Sequence, residues 1–311
     1  MRTWLSEHFG LSVPVVSAPM ATASGGALAG AVSAAGALGM IGYAAGPPDE
    51  LAAEIDLAAS SGRPFGVGML AWLLPRFETL LDVALDRGVP FVSLSYGDYA
   101  RYVDRVHAAG ALVATQVGTV TDAREAVDAG VDVIVARGGE GGGHGRDLVA
   151  TLPLLQAVLD AVDRPVLAAG GIATARGLAA VLAAGAAGAW VGTPFLACDE
   201  SLYDEAAKGA VLAADLDGTT YTTVYDIGAQ IPWPSEFGGR AIRTAYADKW
   251  HGREEELRAD PVAPDGPTIW AGQTAGLVRT RRPAADVVAE LAGAEHLLRA
   301  AAATLSSEPH A

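Results

Sequence analysis

One short stretch holds most of the chemistry that can be read directly from this chain: Arg137-Gly138-Gly139-Glu140-Gly141-Gly142-Gly143-His144-Gly145. It follows residues 131–136, an apolar run with the character of a buried strand. Glycines lack a Cβ, so a backbone rich in them can approach a flat or charged ligand closely. A single imidazole at the end of such a loop places one titratable group beside that ligand. A lone histidine is more often structural, but this setting favours a cofactor face with His144 as a general base.

The other reactive residue types narrow the chemistry further. The six histidines are His8, His107, His144, His251, His296 and His310, and only His144 falls at the end of an expected strand, so no multi-histidine metal site is expected. The lysines, Lys208 and Lys249, lie away from strand ends, which removes a Schiff-base nucleophile. No close carboxylate pair marks the strand ends, as a glycosidase would need. Cys198, the single cysteine, reads as a small buried hydrophobe, and one thiol without a disulfide fits a reducing, cytoplasmic location. A net charge of −15 argues against nucleic acid as a partner, because phosphate binding needs a basic surface. The N-terminus lacks a basic segment followed by an apolar core, so no signal peptide is expected. Stretches 13–48 and 177–197 are long and uncharged, yet they are rich in Ala and Gly and interrupted by Pro19, Pro47 or Pro194. They parse as strand–helix pairs, so no membrane association is expected.

Positioning these residues requires a repeated scaffold. Apolar, β-prone runs recur at 13–17, 38–42, 64–69, 91–95, 112–116, 131–136, 165–169 and 189–192. Helix-like segments alternate with them at 26–35, 49–61, 75–87, 98–109, 121–129, 152–162 and 174–184. Gly36, Gly62, Gly88, Gly110, Gly130 and Gly185 stand where those helices would stop, and Thr121 and Thr174 where two would start. Eight such units predict an α/β fold, a (β/α)8 TIM barrel, with a doubly wound sheet as the alternative. No Gly-x-Gly-x-x-Gly follows an early strand and no P-loop is present, which weakens a Rossmann site and a nucleotide cradle. The alternation stops near Ala214. Residues 1–214 and 275–311 are assigned to the barrel, and 215–274 to a small helical insertion, either a cap or a lid over the barrel mouth. That insertion holds Ile231-Pro232-Trp233-Pro234 and a charged, helix-like stretch at 240–258; a last helix is expected at 283–305.

Barrel active sites lie at the C-terminal ends of the strands. That rule gathers Ala18, Pro19 and Met20, then Gly68, Gln116, Arg137, Gly170-Gly171 and Gly192-Thr193 around one mouth. The last two pairs, following the seventh and eighth strands, suit a phosphate with bare N–H groups and a hydroxyl.

These segments resemble the nitronate monooxygenase family, also called 2-nitropropane dioxygenases. The resemblance is carried by Ala18-Pro19-Met20, Ser33-Ala34-Ala35-Gly36-Ala37-Leu38-Gly39, Phe65-Gly66-Val67 and Val92-Ser93-Leu94-Ser95-Tyr96-Gly97. It continues through Gly138-x-Glu140-x-Gly142-Gly143-His144, Ala168-Ala169-Gly170-Gly171-Ile172-Ala173 and Val191-Gly192-Thr193-x-Phe195-Leu196, with Trp233-Pro234 and Trp250-His251-Gly252-Arg253-Glu254 in the insertion. It implies an FMN-binding barrel without a metal. The flavin phosphate would rest on Gly170, Gly171, Gly192 and Thr193, with Ala169 beside them. Ala18, Pro19 and Met20 would line the ring, and Gln116, Arg137 and Gly142 would contact the flavin. His144 would be the catalytic histidine, acting on alkyl nitronates, propionate 3-nitronate first, and dioxygen to give a carbonyl compound and nitrite. The alternatives are an NAD(P)H-dependent flavin reductase acting on quinones or enoyl thioesters, and a flavin-binding protein without turnover. The oligomeric state is left open, a homodimer included. Two positions depart from the family pattern: Arg137 stands where glutamine is common, and Gly68 where the third strand commonly ends in asparagine. Arg137 is expected to stabilise an anionic reduced flavin or substrate, and Gly68 to open space near the cofactor.

Overall fold

Short runs of Val, Leu, Ile and Ala form eight parallel strands in the computed structural model, which describes residues 1–306. His310 lies outside the described residues. The strands are β1 (Val15–Ser17), β2 (Gly39–Gly42), β3 (Phe65–Leu70), β4 (Phe91–Ser95), β5 (Leu112–Val117), β6 (Val133–Arg137), β8 (Val166–Ala169) and β9 (Gly188–Val191), with β7 (Gly143–Gly145) in a separate sheet. They are ordered β1-β9-β8-β6-β5-β4-β3-β2. The two ends join where the Leu38 N–H donates to Val15 O at 2.9 Å and the Ser17 N–H donates to Leu38 O at 2.9 Å. The sheet closes into the expected (β/α)8 barrel.

Strand side chains alternate between two cores. Val16, Met40, Phe91, Val133, Val135, Leu167 and Trp190 fill the barrel interior. An N-terminal helix, Trp4–Phe9, covers the far end of that interior with Leu5 and Phe9; the Phe9 ring meets Phe91 edge-on at 5.4 Å. The opposite set of strand residues packs against the helices. Close helix–strand contact explains several glycines: a Cβ on Gly39 would lie 1.9 Å from Ala29 O.

Helix starts and stops refine the sequence reading. The six helix-ending glycines have φ between 64° and 103°. Thr174 caps its helix, but the other expected cap lies two residues earlier than read. Thr119, not Thr121, is extended and accepts from the Asp122 N–H at 3.0 Å, while Asp122 Oδ2 accepts from the Gly118 N–H at 3.1 Å. The expected last helix is two, Ala284–Ala292 and Ala294–Ser306. They break at Gly293, where a Cβ would press on Ala175 of the neighbouring helix at 3.3 Å. The 215–274 segment carries helices Val224–Gly228, Ala245–Trp250 and Glu254–Ala259, and also two strands, β10 (Thr219–Thr222) and β11 (Gly238–Ile242). The run of Thr and Tyr in β10 favours a strand, and 238–242 begins as a strand where a helix was expected. β11 pairs antiparallel with both β10 and β7, so this segment is stitched directly to the glycine loop. Among the described residues, no helix is long and apolar enough to cross a membrane.

Candidate active site

A cavity of about 550 Å³ opens at the C-terminal ends of the barrel strands. Its wall contains Ala18, Pro19 and Met20 after β1, Gln116 from β5, Arg137 at the end of β6, and Gly142 and His144 from the loop beyond. Ala169, Gly170 and Gly171 follow from β8, and Gly192 and Thr193 from β9. Gly68 alone of the expected set is not part of this wall. A Cβ there would lie 2.3 Å from Pro19 Cγ, so the proline ring already fills the room that the missing side chain was expected to open.

His144 sits in β7, between Gly143 (φ 71°) and Gly145 (φ 153°). Its Nε2 lies 2.9 and 3.1 Å from the two carboxylate oxygens of Asp226, and the two side chains are only 9% and 7% exposed. Asp226 comes from the helix Val224–Gly228, 82 residues further along the chain. A carboxylate at Nε2 accepts its proton, so Nδ1 carries the lone pair and is the nitrogen left to meet a substrate. The Trp233 indole stacks on the imidazole with centroids 3.5 Å apart and planes within 9°, and Trp270 flanks it at 4.4 Å. The ring therefore has one orientation, fixed by a carboxylate on one edge and aromatic faces on its sides.

Tyr96 supports the same strand. Its hydroxyl donates to His144 O at 2.8 Å, and burial pushes its pKa up to about 12. Tyr96 holds a left-handed backbone (φ 66°) at the end of β4, a strained conformation for a bulky residue that marks a functional neighbourhood. Its ring also packs edge-on against Trp233 and Phe237.

Arg137 does something other than what the sequence led us to expect. Its guanidinium donates to the carbonyls of Gly141 at 2.6 Å, Gly143 at 2.8 Å, Gly142 at 3.4 Å and Arg146 at 3.1 Å. It is 3% exposed, and burial lowers its pKa. These bonds curl the glycine loop around the side chain, which makes Arg137 a brace for the loop rather than a free cation aimed at an anion. Glu140 braces the other side: its carboxylate accepts from the Thr151 N–H at 2.9 Å and from Thr151 Oγ1 at 2.8 Å, at the start of the helix Thr151–Ala161.

The opposite wall is bare backbone. Gly170 and Gly171 have φ of 101° and 73°, which a side chain would strain, and a Cβ on Gly171 would meet nothing closer than 3.8 Å. The backbone N–H groups of Gly171, Gly192 and Thr193 donate to no protein atom among the described residues. Thr193 Oγ1 accepts from the Gly272 N–H at 2.9 Å, which ties this edge to the segment that carries Trp270. The result is a polar, anion-accepting ledge facing an aromatic-backed imidazole.

Asp226 and Trp270 carry no signal in the amino-acid sequence. Each reaches the histidine only through the folded insertion, and nothing in their spacing from the glycine loop marks them. Tyr96 and Trp233 were visible only as parts of motifs, without a role.

The family model described as nitronate monooxygenase matches residues 2–74 and 73–293. A nitronate monooxygenase of Neurospora crassa is 31% identical over 333 residues, covering 89% of this chain and 87% of that protein. A (3aS,4S,5R,7aS)-5-hydroxy-7a-methyl-1-oxo-octahydro-1H-indene-4-carboxyl-CoA dehydrogenase of Mycobacterium tuberculosis is 39% identical over 230 residues, 73% of this chain but only 64% of the length of that relative. Among solved structures, FabK from Thermotoga maritima superposes with a TM-score of 0.83 at 30% identity over 98% of both chains. With the family model running from the N-terminal helix through the barrel and the insertion to the penultimate helix, the chain belongs to the nitronate monooxygenase family.

Proposed function

We propose that this protein is an FMN-dependent nitronate monooxygenase that converts alkyl nitronates and dioxygen to a carbonyl compound and nitrite, with propionate 3-nitronate as a substrate. The observation that carries this is the Asp226–His144 pair, set in the wall of a cavity whose other side is an unpaired glycine ledge. The donor set fits FMN: the N–H groups of Gly171, Gly192 and Thr193 would hold its phosphate, and the wall formed by Ala18, Pro19 and Met20 would receive its ring. When bound, FMN supplies the redox chemistry, while the protein orients and desolvates the substrate.

In this scheme His144 Nδ1 binds the nitronate oxygens as a hydrogen-bond donor when protonated, or removes the α-proton of a neutral nitroalkane when not. Asp226 holds the imidazole in the one orientation that presents Nδ1. The 215–274 segment acts as a lid, with Ile231, Pro232 and Trp233 excluding water from the cavity.

An anaerobic spectral titration of the FMN-loaded protein with propionate 3-nitronate tests this. Bleaching of the flavin, reversed by air with release of nitrite, is the expected result. An unchanged spectrum, together with NAD(P)H oxidation in the presence of a quinone or an enoyl thioester, would replace it with a reductase. That second activity is favoured by one finding, the 39% identity to a relative named for a carboxyl-CoA substrate.

A further inference from the structure

Most of the 215–274 segment is pinned to the barrel. β11 pairs with β7, and the Arg240 Nε–H donates to Gly139 O at 2.7 Å. The Gly272 N–H donates to Thr193 Oγ1 at 2.9 Å and the Gln273 N–H to Glu140 O at 3.0 Å. Residues 231–237, which lead from the helix Val224–Gly228 to β11, are held differently. Their backbone bonds are local: Ile231 N–H to Asp226 O at 2.9 Å, Trp233 N–H to Ile231 O at 2.9 Å and Phe237 N–H to Pro234 O at 3.0 Å. Among the described residues, no side chain of this strap has a hydrogen bond or an ion pair. Ring contacts alone fasten it to the cavity mouth. Trp233 stacks on His144 at 3.5 Å, Phe237 meets Tyr96 edge-on at 5.2 Å, and the Arg146 guanidinium lies 5.0 Å over the Phe237 ring.

The strap also has open space on both sides. Gln230, Ile231, Pro232 and Trp233 line the active-site cavity and, at the same time, a second cavity of about 340 Å³. Thr223, Asp226 and Ile227, three and four residues apart and so on one face of their helix, form another wall of this back cavity. Arg258 and Pro261 complete it. The space is large enough to receive an indole. Pro232 and Pro234 fix the backbone on either side of Trp233, so bending is confined to the ends of the strap. At the first end, Gln230 holds a left-handed φ of 53°, which a residue with a side chain disfavours and which a changed backbone would relieve.

We propose that residues 231–237 are a gate for substrate. The strap turns about Gln230, and Trp233 leaves the imidazole for the back cavity, opening the active-site cavity to solvent. The rest of the 215–274 segment stays fixed, which narrows the lid to these seven residues. The identity of the substrate that enters rests on the nitronate activity proposed above, whereas the motion does not.

The test fills the space into which Trp233 would move. Thr223→Phe and Pro261→Phe do so from two walls, and Thr223→Val removes the hydroxyl of Thr223 without filling. Each protein is labelled with 5-fluorotryptophan, and the Trp233 signal is identified among the six by its loss in Trp233→Phe. Fluorine relaxation dispersion should show exchange of Trp233 on the microsecond-to-millisecond scale in wild type and Thr223→Val. Both filled variants should suppress it, and Gln230→Gly, with no side-chain strain left to relieve, should reduce the open population. In FMN-loaded protein, the second-order rate of flavin bleaching by propionate 3-nitronate should fall about tenfold in the filled variants, as the open population falls. The limiting rate at saturating nitronate should be unchanged. Absence of exchange at Trp233, or exchange that both filled variants leave intact, overturns the gate. An unchanged open population in Gln230→Gly overturns the pivot. Exchange that responds as expected in a wild type whose flavin no nitronate bleaches overturns the proposed activity and leaves the gate standing.

Discussion

The imidazole of His144 and the carboxylate of Asp226 make a single unit, and each should be tested against the other. His144→Ala should keep FMN, because the ledge of Gly171, Gly192 and Thr193 is untouched, while kcat/KM falls by about 100- to 10,000-fold. Asp226→Asn keeps the shape but can present an amide N–H to Nε2, which moves the ring proton to Nδ1. Turnover of neutral nitroalkanes, which needs a lone pair there, should fall by at least about tenfold, and turnover of preformed nitronates by less. Equal losses with the two substrates would falsify the tautomer assignment. Tyr96 gives a separate prediction in pH. Its proton is held in the folded state up to about pH 12, against 10 in an unfolded chain. The neutral phenol therefore contributes stability that is complete below pH 10 and is lost as pH rises toward 12. Thermal melts across pH 9–12 should decline less steeply for Tyr96→Phe than for wild type. His144 could be found from the sequence because a strand end and a glycine loop are local patterns. Asp226 could not, since its partner lies 82 residues away and the meeting point is made by tertiary structure alone.

At the scale of elements, what was legible followed from short-range rules. Apolar period and glycine punctuation located all eight barrel strands, with ends displaced by a residue or two; the run at 13–17, for example, holds β1 at Val15–Ser17. Those same rules misplace features that depend on contact. The cap at Thr119 is set by its bond from the Asp122 N–H and by the Asp122 carboxylate holding the Gly118 N–H, and at Gly293 a side chain would crowd Glu290 O and Ala175. Position 68 is the sharpest case. From sequence, glycine in place of asparagine suggested room beside the cofactor, whereas the fold has moved the Pro19 ring against it. Restoring the family residue with Gly68→Asn should therefore displace Pro19 and destabilise the protein by about 1–3 kcal/mol, as overpacking does. FMN affinity should drop as well, because Pro19 is part of the cavity wall. Denaturant unfolding and flavin retention would measure the two effects, and a stable variant with tighter FMN would show that Pro19 yields without consequence.

For the whole molecule, the question is how a segment outside the barrel repeat comes to complete the site. Several links join it to the barrel mouth, among them the β7–β11 pairing, which makes the strand carrying His144 part of the small sheet, the Asp226–His144 bond, the Arg240 Nε–H bond to Gly139 O and the Gly272 N–H bond to Thr193 Oγ1. The stack of Trp233 on the imidazole closes the cavity from outside. Trp233 follows Pro232 and precedes Pro234, so its backbone is stiff, and it stands beside Gln230, which holds a left-handed φ of 53°. A stiff, partly exposed tryptophan adds little to the core but shields one face of the reactive ring. Trp233→Ala should thus leave the melting temperature nearly unchanged and keep FMN bound. It should lower kcat about tenfold, as water reaches the imidazole and the ring gains freedom to rotate about its Asp226 bond. Diethylpyrocarbonate should modify His144 several-fold faster in the variant, and bound substrate should slow that reaction in wild type. Slower turnover without faster modification would place the effect of Trp233 in direct substrate contact, not in shielding, and the lid would then lose its main support.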